Sequence, residues 1–108
     1  MELSFATEQL RAICESRRRA VIRLGADSAR ALETLLADID ACQSVSDLTA
    51  LYGDQVKSSP PDKWHVTLEG EAKMIFTSGH VSTPKKRDGH VDWKKVTRVR
   101  IELIGVTP

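Results

Sequence analysis

Hydrophobic and polar positions alternate along residues 63–76 in a way that predicts a β-hairpin. Three apolar residues stand at every second position with polar residues between them, and these are Trp64, Val66 and Leu68. Gly70 follows between two glutamates, and glycine readily adopts the positive φ of a tight turn. The chain then returns through residues 73–76. We therefore predict a hairpin with one apolar face and one polar face, and the polar face carries His65, Thr67 and Lys73.

Apolar residues at three- and four-residue spacing predict helices before this hairpin. The clearest pattern spans residues 27–43 and comprises Ala31, Leu32, Leu35, Leu36, Ile39 and Cys42. A shorter pattern runs from a Thr7 cap to about Arg17, and residues 20–24 continue it. Residues 46–51 predict one further helical turn. Leu3 and Phe5 alternate with polar neighbours and suggest a short first strand.

The last part of the chain predicts either a long connection or an excursion of the sheet, and then a final strand. Residues 77–92 are mostly polar, whereas Val99, Ile101 and Leu103 alternate with Arg98, Arg100 and Glu102. Residues 53–62 are expected to form a loop, because Pro60 and Pro61 exclude regular structure. The order of strand, helices and three further strands predicts an α+β fold, with N-terminal helices packed on one face of a small antiparallel sheet.

Length and composition predict one domain spanning residues 1–108, since the chain is long enough for one modest core. The net charge of +1 argues against a strongly electrostatic nucleic-acid binder, although residues 85–100 are locally basic. No apolar run is long enough to span a bilayer, and we expect a cytoplasmic protein without membrane contact. Cys14 and Cys42 lack metal-ligand spacing and are expected to be buried thiols, so neither a metal nor a cofactor is predicted.

The predicted open sheet face is where RNA chemistry would be expected. Cleavage at a 2′-hydroxyl needs acid–base groups and fixed cations. His65 is the histidine on that face, and histidine is the side chain best suited to proton transfer near neutral pH. The alternative interpretation of His65 is an ordinary surface histidine without a catalytic role. For Lys73, Lys57 and Lys63 the alternative is that they are solvated surface lysines. Arg98 and Arg100 share one face of the last strand and could bind phosphates. His80 and His90 are expected in an exposed loop, and Trp64 and Trp93 in the core.

Three segments resemble HigB-like toxins of the RelE/ParE superfamily. Leu35–Leu48 is similar to their second-helix segment, in which a Leu-rich helix ends before a Ser-x-x-Asp-Leu type of turn. Trp64–Phe76 resembles their central hairpin, and Asp88–Thr97 resembles a Gly-x-x-Asp-Trp-x-x-Val segment before the last strand. The segments occur in the same order as in that family and span most of the chain from about residue 20 onward.

The resemblance implies the toxin of a type II toxin–antitoxin pair. Such a toxin is expected to act as a metal-independent endoribonuclease on mRNA bound to the ribosome, and to be held by a helix-turn-helix antitoxin. Lys73 stands where the family has a basic residue that contacts the scissile phosphate, and Lys57 where a second basic residue is often found. His65 is the candidate acid/base, with Lys57, Lys63, Arg98 and Arg100 as RNA-binding residues.

The C-terminus departs from that family. Its last strand commonly ends in Asp-Tyr-His, whereas this chain has Val106-Thr107-Pro108, which cannot transfer a proton at neutral pH. The alternative is therefore a non-catalytic relative of the same fold, either a gyrase-poisoning ParE-like toxin or a module that binds an antitoxin or another protein.

Overall fold

A computed structural model describes residues 1–106 of the chain. The helices are α1 (Glu8–Glu15), α2 (Arg17–Leu24), α3 (Ala26–Ala41) and α4 (Val45–Tyr52), with a short 3-10 turn at Gly53–Gln55. The strands are β1 (Glu2–Phe5), β2 (Val56–Ser59), β3 (Lys63–Thr67), β4 (Ala72–Ser78) and β5 (Arg98–Val106). The α+β prediction is confirmed.

The five strands form one sheet in the order β1-β5-β4-β3-β2. Neighbouring strands from β2 to β5 are antiparallel, whereas β1 lies at the opposite edge and runs parallel to β5. The sheet is therefore mixed. A parallel neighbour requires a long connection, and here the helices and the other strands lie between the two.

The core lies between the helices and one face of the sheet. Leu32, Leu35 and Ile39 on α3 are almost completely buried, and so are Val66 and Phe76 on the sheet. Trp64 and Trp93 pack edge to face beside this core, with ring centroids 5.7 Å apart. Among residues 1–106, none of the helices combines the length and apolar character needed to cross a membrane.

The chain start is tied to the end of α3. The Met1 ammonium donates hydrogen bonds to the carbonyls of Ile39, Asp40 and Cys42, at 2.9, 3.2 and 2.7 Å. The last carbonyls of a helix have no partner within the helix, and the partial negative charge at that end favours a cation. These contacts hold β1 beside the helical layer.

The β3–β4 hairpin forms as predicted and docks on α3. Gly70 and Glu71 in its turn both have positive φ, 82° and 74°. The buried Ser28 hydroxyl donates a 2.6 Å hydrogen bond to the carbonyl of Glu69. A Cβ on Gly70 would stand 2.6 Å from Ser28 Oγ, so the close approach requires glycine at this position.

The prediction of a loop over residues 53–62 is wrong in part, because Val56–Ser59 forms the edge strand β2. Only Val56 is buried in this segment, and the strand is held by antiparallel pairing with β3. A four-residue strand with one apolar side chain has almost no periodicity of its own.

The alternation of Val99, Ile101 and Leu103 in the sequence would place these three side chains on one face of β5, but Leu103 lies on the other face. Ile75 pairs with Leu103 but its neighbour Phe76 pairs with Ile101, so an irregularity in the β4–β5 register leaves one extra residue in β5. An extra residue reverses the alternation beyond it. Leu103 is consequently 44% exposed, whereas Ile104 is buried.

The connection between β4 and β5 is ordered by local hydrogen bonds. His80 Nε2 accepts a 3.0 Å hydrogen bond from the backbone N–H of Thr97. The backbone N–H groups of Val45 and Ser46 donate to the carbonyls of Val96 and Trp93, which attaches the connection to α4. His80 is thus a partly buried structural residue, whereas His90 is exposed as predicted.

Candidate nucleic-acid interface

The strand register places all six predicted site residues on the sheet face opposite the helices. Alternate residues of a strand point to opposite faces, and the partners of the buried residues Val66, Met74 and Ile104 define the core side. We call the other side the open face. Its predicted members are Lys57, Lys63, His65, Lys73, Arg98 and Arg100.

One row of residues crosses the middle of the open face. Lys57 pairs with His65, His65 with Ile75, and Ile75 with Leu103. Directly opposite residues of antiparallel strands have Cβ atoms about 4.5–5.5 Å apart. The Lys57 ammonium is therefore able to reach the same ligand as the His65 imidazole.

Lys73 lies diagonally across from His65. Its direct partner is Thr67, two residues along β3 from His65, and diagonal neighbours of this kind are about 7–8 Å apart. One phosphate can contact both side chains across this separation, because the lysine side chain is long. The predicted acid/base residue and the predicted charge stabiliser are thus brought together.

The remaining cations form a second row toward the end of the face. Lys63 pairs with Thr77, Thr77 with Arg100, and Arg100 with Ser4 of β1. Arg98 lies further along the same edge, opposite Glu2. Arg98 and Arg100 share the face as predicted, although strand β4 separates their strand from that of His65.

The two arginines and the three lysines differ in their ion pairs. Arg98 Nε lies 3.1 Å from Glu2 Oε2, and Arg100 Nε lies 3.6 Å from Glu102 Oε1. Exposed pairs of this kind contribute little and exchange readily for another anion. The salt bridges among residues 1–106 do not involve the open-face lysines, which are Lys57, Lys63 and Lys73. On this face, they are the cations most available to a phosphate.

The centre of the open face is apolar, which the sequence did not predict. Ile75 is half-buried and Leu103 is 44% exposed. They pair directly with each other, in the row that begins with Lys57 and His65. The alternation in the sequence would place Leu103 on the core side, and the bulge moves it to the open face. The face therefore combines a cationic surround with an apolar centre that bases or a protein side chain could cover.

The open face carries one side chain suited to proton transfer near neutral pH, His65, within the part of the chain that the structure describes. Tyr52 lies on α4, where its hydroxyl donates a 2.6 Å hydrogen bond to Asp38 Oδ2. Burial first, and then the Asp38 carboxylate, raise the pKa of this phenol well above its usual value near 10. Val106 ends β5 opposite Ala72, and residues 107 and 108 lie outside the described part.

Other charged and titratable side chains are accounted for by local structure. Arg17 makes a bidentate pair with Glu33, with Nε–Oε1 at 3.1 Å and Nη2–Oε2 at 2.9 Å. Arg18 and Arg19 are exposed on α2, as a solvated helix face would be. The prediction that Cys14 and Cys42 are buried is wrong, because both residues are only partly buried. Burial followed by the charge of Glu15 raises the pKa of the Cys14 thiol to about 11. A thiol of this kind is a poor nucleophile at neutral pH.

Comparison with known proteins gives no further identification. No protein-family model, no curated protein and no solved structure matches this chain. The resemblance to HigB-like toxins stays a prediction from the sequence.

Proposed function

We propose that this protein is the toxin of a type II toxin–antitoxin pair and cleaves mRNA on the ribosome. The observation that supports the proposal best is the arrangement of Lys57, His65 and Lys73 on the open face. The sequence predicts all three as site residues, and the register makes them direct or diagonal neighbours. Such a toxin would act in the cytoplasm, where its target is.

In the proposed reaction the RNA 2′-hydroxyl attacks the adjacent phosphorus and the 5′-oxygen of the next nucleotide leaves. Lys73 stabilises the charge that develops on the phosphorane oxygens, and Lys57 and Lys63 hold the flanking phosphates. His65 transfers a proton to or from the reacting oxygens. Because the face has one proton-transfer group, we expect slower cleavage than with a separate general acid and general base. The ribosome or the RNA could supply the second proton-transfer group.

The proposed partner is a helix-turn-helix antitoxin docked on α2. Ile22 is 76% exposed and Val21 39% exposed on this helix, beside Arg19 and Arg23. An apolar helix face with a basic border suits an amphipathic segment with acidic residues. A gene for a small helix-turn-helix protein beside this one would support the pairing.

A non-catalytic toxin or binding module is the second candidate. The apolar pair Ile75–Leu103 in the centre of the open face favours it, since exposed apolar residues at the middle of a cationic surface also suit a protein partner. This candidate needs no second proton-transfer group.

Induced expression in a bacterial host separates the two candidates. Growth and mRNA integrity are followed together for wild type, Lys73→Ala, His65→Ala and the surface control Arg18→Ala. Ribonuclease action predicts arrest with mRNA cut in coding regions, relieved at least tenfold by Lys73→Ala and unchanged by Arg18→Ala. Arrest with intact mRNA would favour the binding toxin, and no arrest would contradict the toxin proposal.

A further inference from the structure

A second cationic element lies outside the open face, in the connection between β4 and β5. Residues 84–92 form a small hairpin in which Lys85 and Val91 pair as an antiparallel bridge. The backbone N–H of Lys86 donates to the carbonyl of His90 at 2.8 Å, and that of Gly89 to Lys86 at 3.0 Å. We call this element the basic hairpin.

The basic hairpin is anchored to the body of the protein. Val91 is only 9% exposed and belongs to the core cluster. The N–H of Asp92 donates to the carbonyl of Pro84 at 2.9 Å, which closes the base of the hairpin. Its tip is therefore held in a defined position by backbone contacts that do not involve the lysine side chains.

The basic hairpin and the residues directly after it carry an excess of positive charge. Five cations stand against two carboxylates over residues 84–95, in a chain whose net charge is only +1. Lys85, Lys86 and Arg87 lie in the hairpin itself, and Lys94 and Lys95 follow it. All five are exposed, and none of them takes part in a salt bridge within residues 1–106. The backbone N–H and Nδ1 of His90 lie 3.0 and 3.1 Å from Asp88 Oδ1. These hydrogen bonds first, and then the charges of His90 and Lys86, lower the pKa of Asp88.

The basic hairpin adjoins the end of the open face. Together with the β2–β3 turn it lines a groove of about 540 Å³, in which Lys85, His90 and Val91 face Pro61 and Asp62. The next residue after Asp62 is Lys63, which begins the second row of open-face cations. The Thr77 hydroxyl donates to the Asp62 carbonyl at 2.8 Å and fixes this junction. Lys85 of the basic hairpin thus lies across this groove from the turn that leads into Lys63, and Asp62 also lines the groove.

We propose that the basic hairpin is a second RNA-binding site, at which Lys86 and Arg87 hold backbone phosphates beyond those on the open face. The inference rests on the proposed function for its ligand class, which is RNA. The contacts are with phosphates, so they carry affinity and orientation rather than sequence preference. Message and structured ribosomal RNA both offer these groups.

The test measures binding of a fluorescent 20-nucleotide single-stranded RNA, and of an RNA duplex of the same length, at several NaCl concentrations. Three double variants each remove two charges: Lys86→Gln with Arg87→Gln in the hairpin, Lys57→Gln with Lys63→Gln on the open face, and Arg18→Gln with Arg30→Gln as the control. Arg18 and Arg30 are exposed on α2 and α3 and have no ion pair within residues 1–106. Thermal unfolding of each variant confirms that the fold is retained.

We expect the hairpin variant to bind single-stranded RNA about 10- to 30-fold more weakly at 0.1 M salt. The slope of log K against log salt should become shallower by about 1.4, since each lost phosphate contact accounts for about 0.7 on a single strand. The control variant should keep the wild-type affinity and slope. A larger loss with the single strand than with the duplex would identify message as the ligand, and the reverse would identify structured RNA.

The possible failures are distinct. If the open-face variant loses affinity and the hairpin variant does not, the hairpin inference is overturned while the proposed function stands. If only the hairpin variant loses affinity, the inference stands and the open-face site is overturned. Equal losses in the hairpin and control variants, or no binding by wild type, would also overturn the inference.

Discussion

The hydroxyl of Ser28, in the first turn of α3, donates a 2.6 Å hydrogen bond to the carbonyl of Glu69 in the β3–β4 turn. This contact joins the helical layer to the hairpin that carries His65 and Lys73. The turn approaches so closely that the side chain at position 70 must be hydrogen.

We predict that Gly70→Ala destabilises the protein by about 2–4 kcal/mol, from the positive φ together with the contact with Ser28. Gly89→Ala is the matched control, because Gly89 has a similar φ of 88° but nothing within 4 Å of an added Cβ. It should cost about 1–2 kcal/mol. Urea unfolding of both variants measures the difference, and equal losses would contradict a close contact at Ser28.

The β5 bulge predicts losses of stability of different size at two neighbouring positions. Leu103→Ala should cost less than about 1 kcal/mol because the side chain is 44% exposed, whereas Ile104→Ala should cost about 2–4 kcal/mol from the core. The free energies of unfolding in urea test this. If Leu103→Ala were the more damaging change, β5 would alternate without a bulge.

The hydrogen bond between the Tyr52 hydroxyl and Asp38 predicts that this phenol ionises at a higher pH than usual. Since the chain has one tyrosine, absorbance at 295 nm reports the ionisation of this phenol alone. We expect a midpoint above the usual value near 10, lowered by Asp38→Asn and unchanged by the control Asp40→Asn. A midpoint at or below 10 in wild type would show that the hydrogen bond does not form.

The raised pKa of Tyr52 also predicts the direction in which the free energy of unfolding changes at alkaline pH. Because the pKa of Tyr52 is raised in the folded state, the unfolded chain loses its phenolic proton first as the pH rises. The free energy of unfolding should therefore decrease above about pH 10. Tyr52→Phe should reduce the steepness of that decrease, and an unchanged pH dependence in this variant would contradict the assignment.

The proposed antitoxin contact predicts a selective loss of complex formation. Ile22→Asp places a charge in the exposed apolar patch of α2 and should weaken co-purification with the adjacent helix-turn-helix protein at least tenfold. Val81→Asp, at a fully exposed position of the β4–β5 connection, is the control and should not change it. Equal behaviour of the two variants would place the antitoxin elsewhere.

The sequence predicted what depends on strong local patterns. Helix α3 and the β3–β4 hairpin have regular apolar spacing, so both were predicted close to their observed bounds, and the face of His65 and Lys73 followed from alternation. Strand β2 was missed because its structure depends on pairing with β3 rather than on its own residues. The position of Leu103 was missed because a bulge is a property of two strands together.

The parallel pairing of β1 with β5 was not predicted for a similar reason. Leu3 and Phe5 specify a strand with one buried side, but nothing in those residues specifies which neighbour it takes. Residues 77–92 were predicted only as a polar stretch, either a long connection or an excursion of the sheet. Its order comes from backbone hydrogen bonds, including those to His90 and Pro84, that polarity alone does not reveal.

Cleavage of a defined mRNA in a bacterial translation extract tests the central proposal most directly, with the 5′ ends of the products mapped by primer extension. We predict that wild type cuts only ribosome-bound message, that Lys73→Ala and His65→Ala reduce the cleavage rate at least 100-fold, and that Arg18→Ala cuts normally. Intact mRNA with purified wild-type protein, or undiminished cleavage by both open-face variants, would contradict the account.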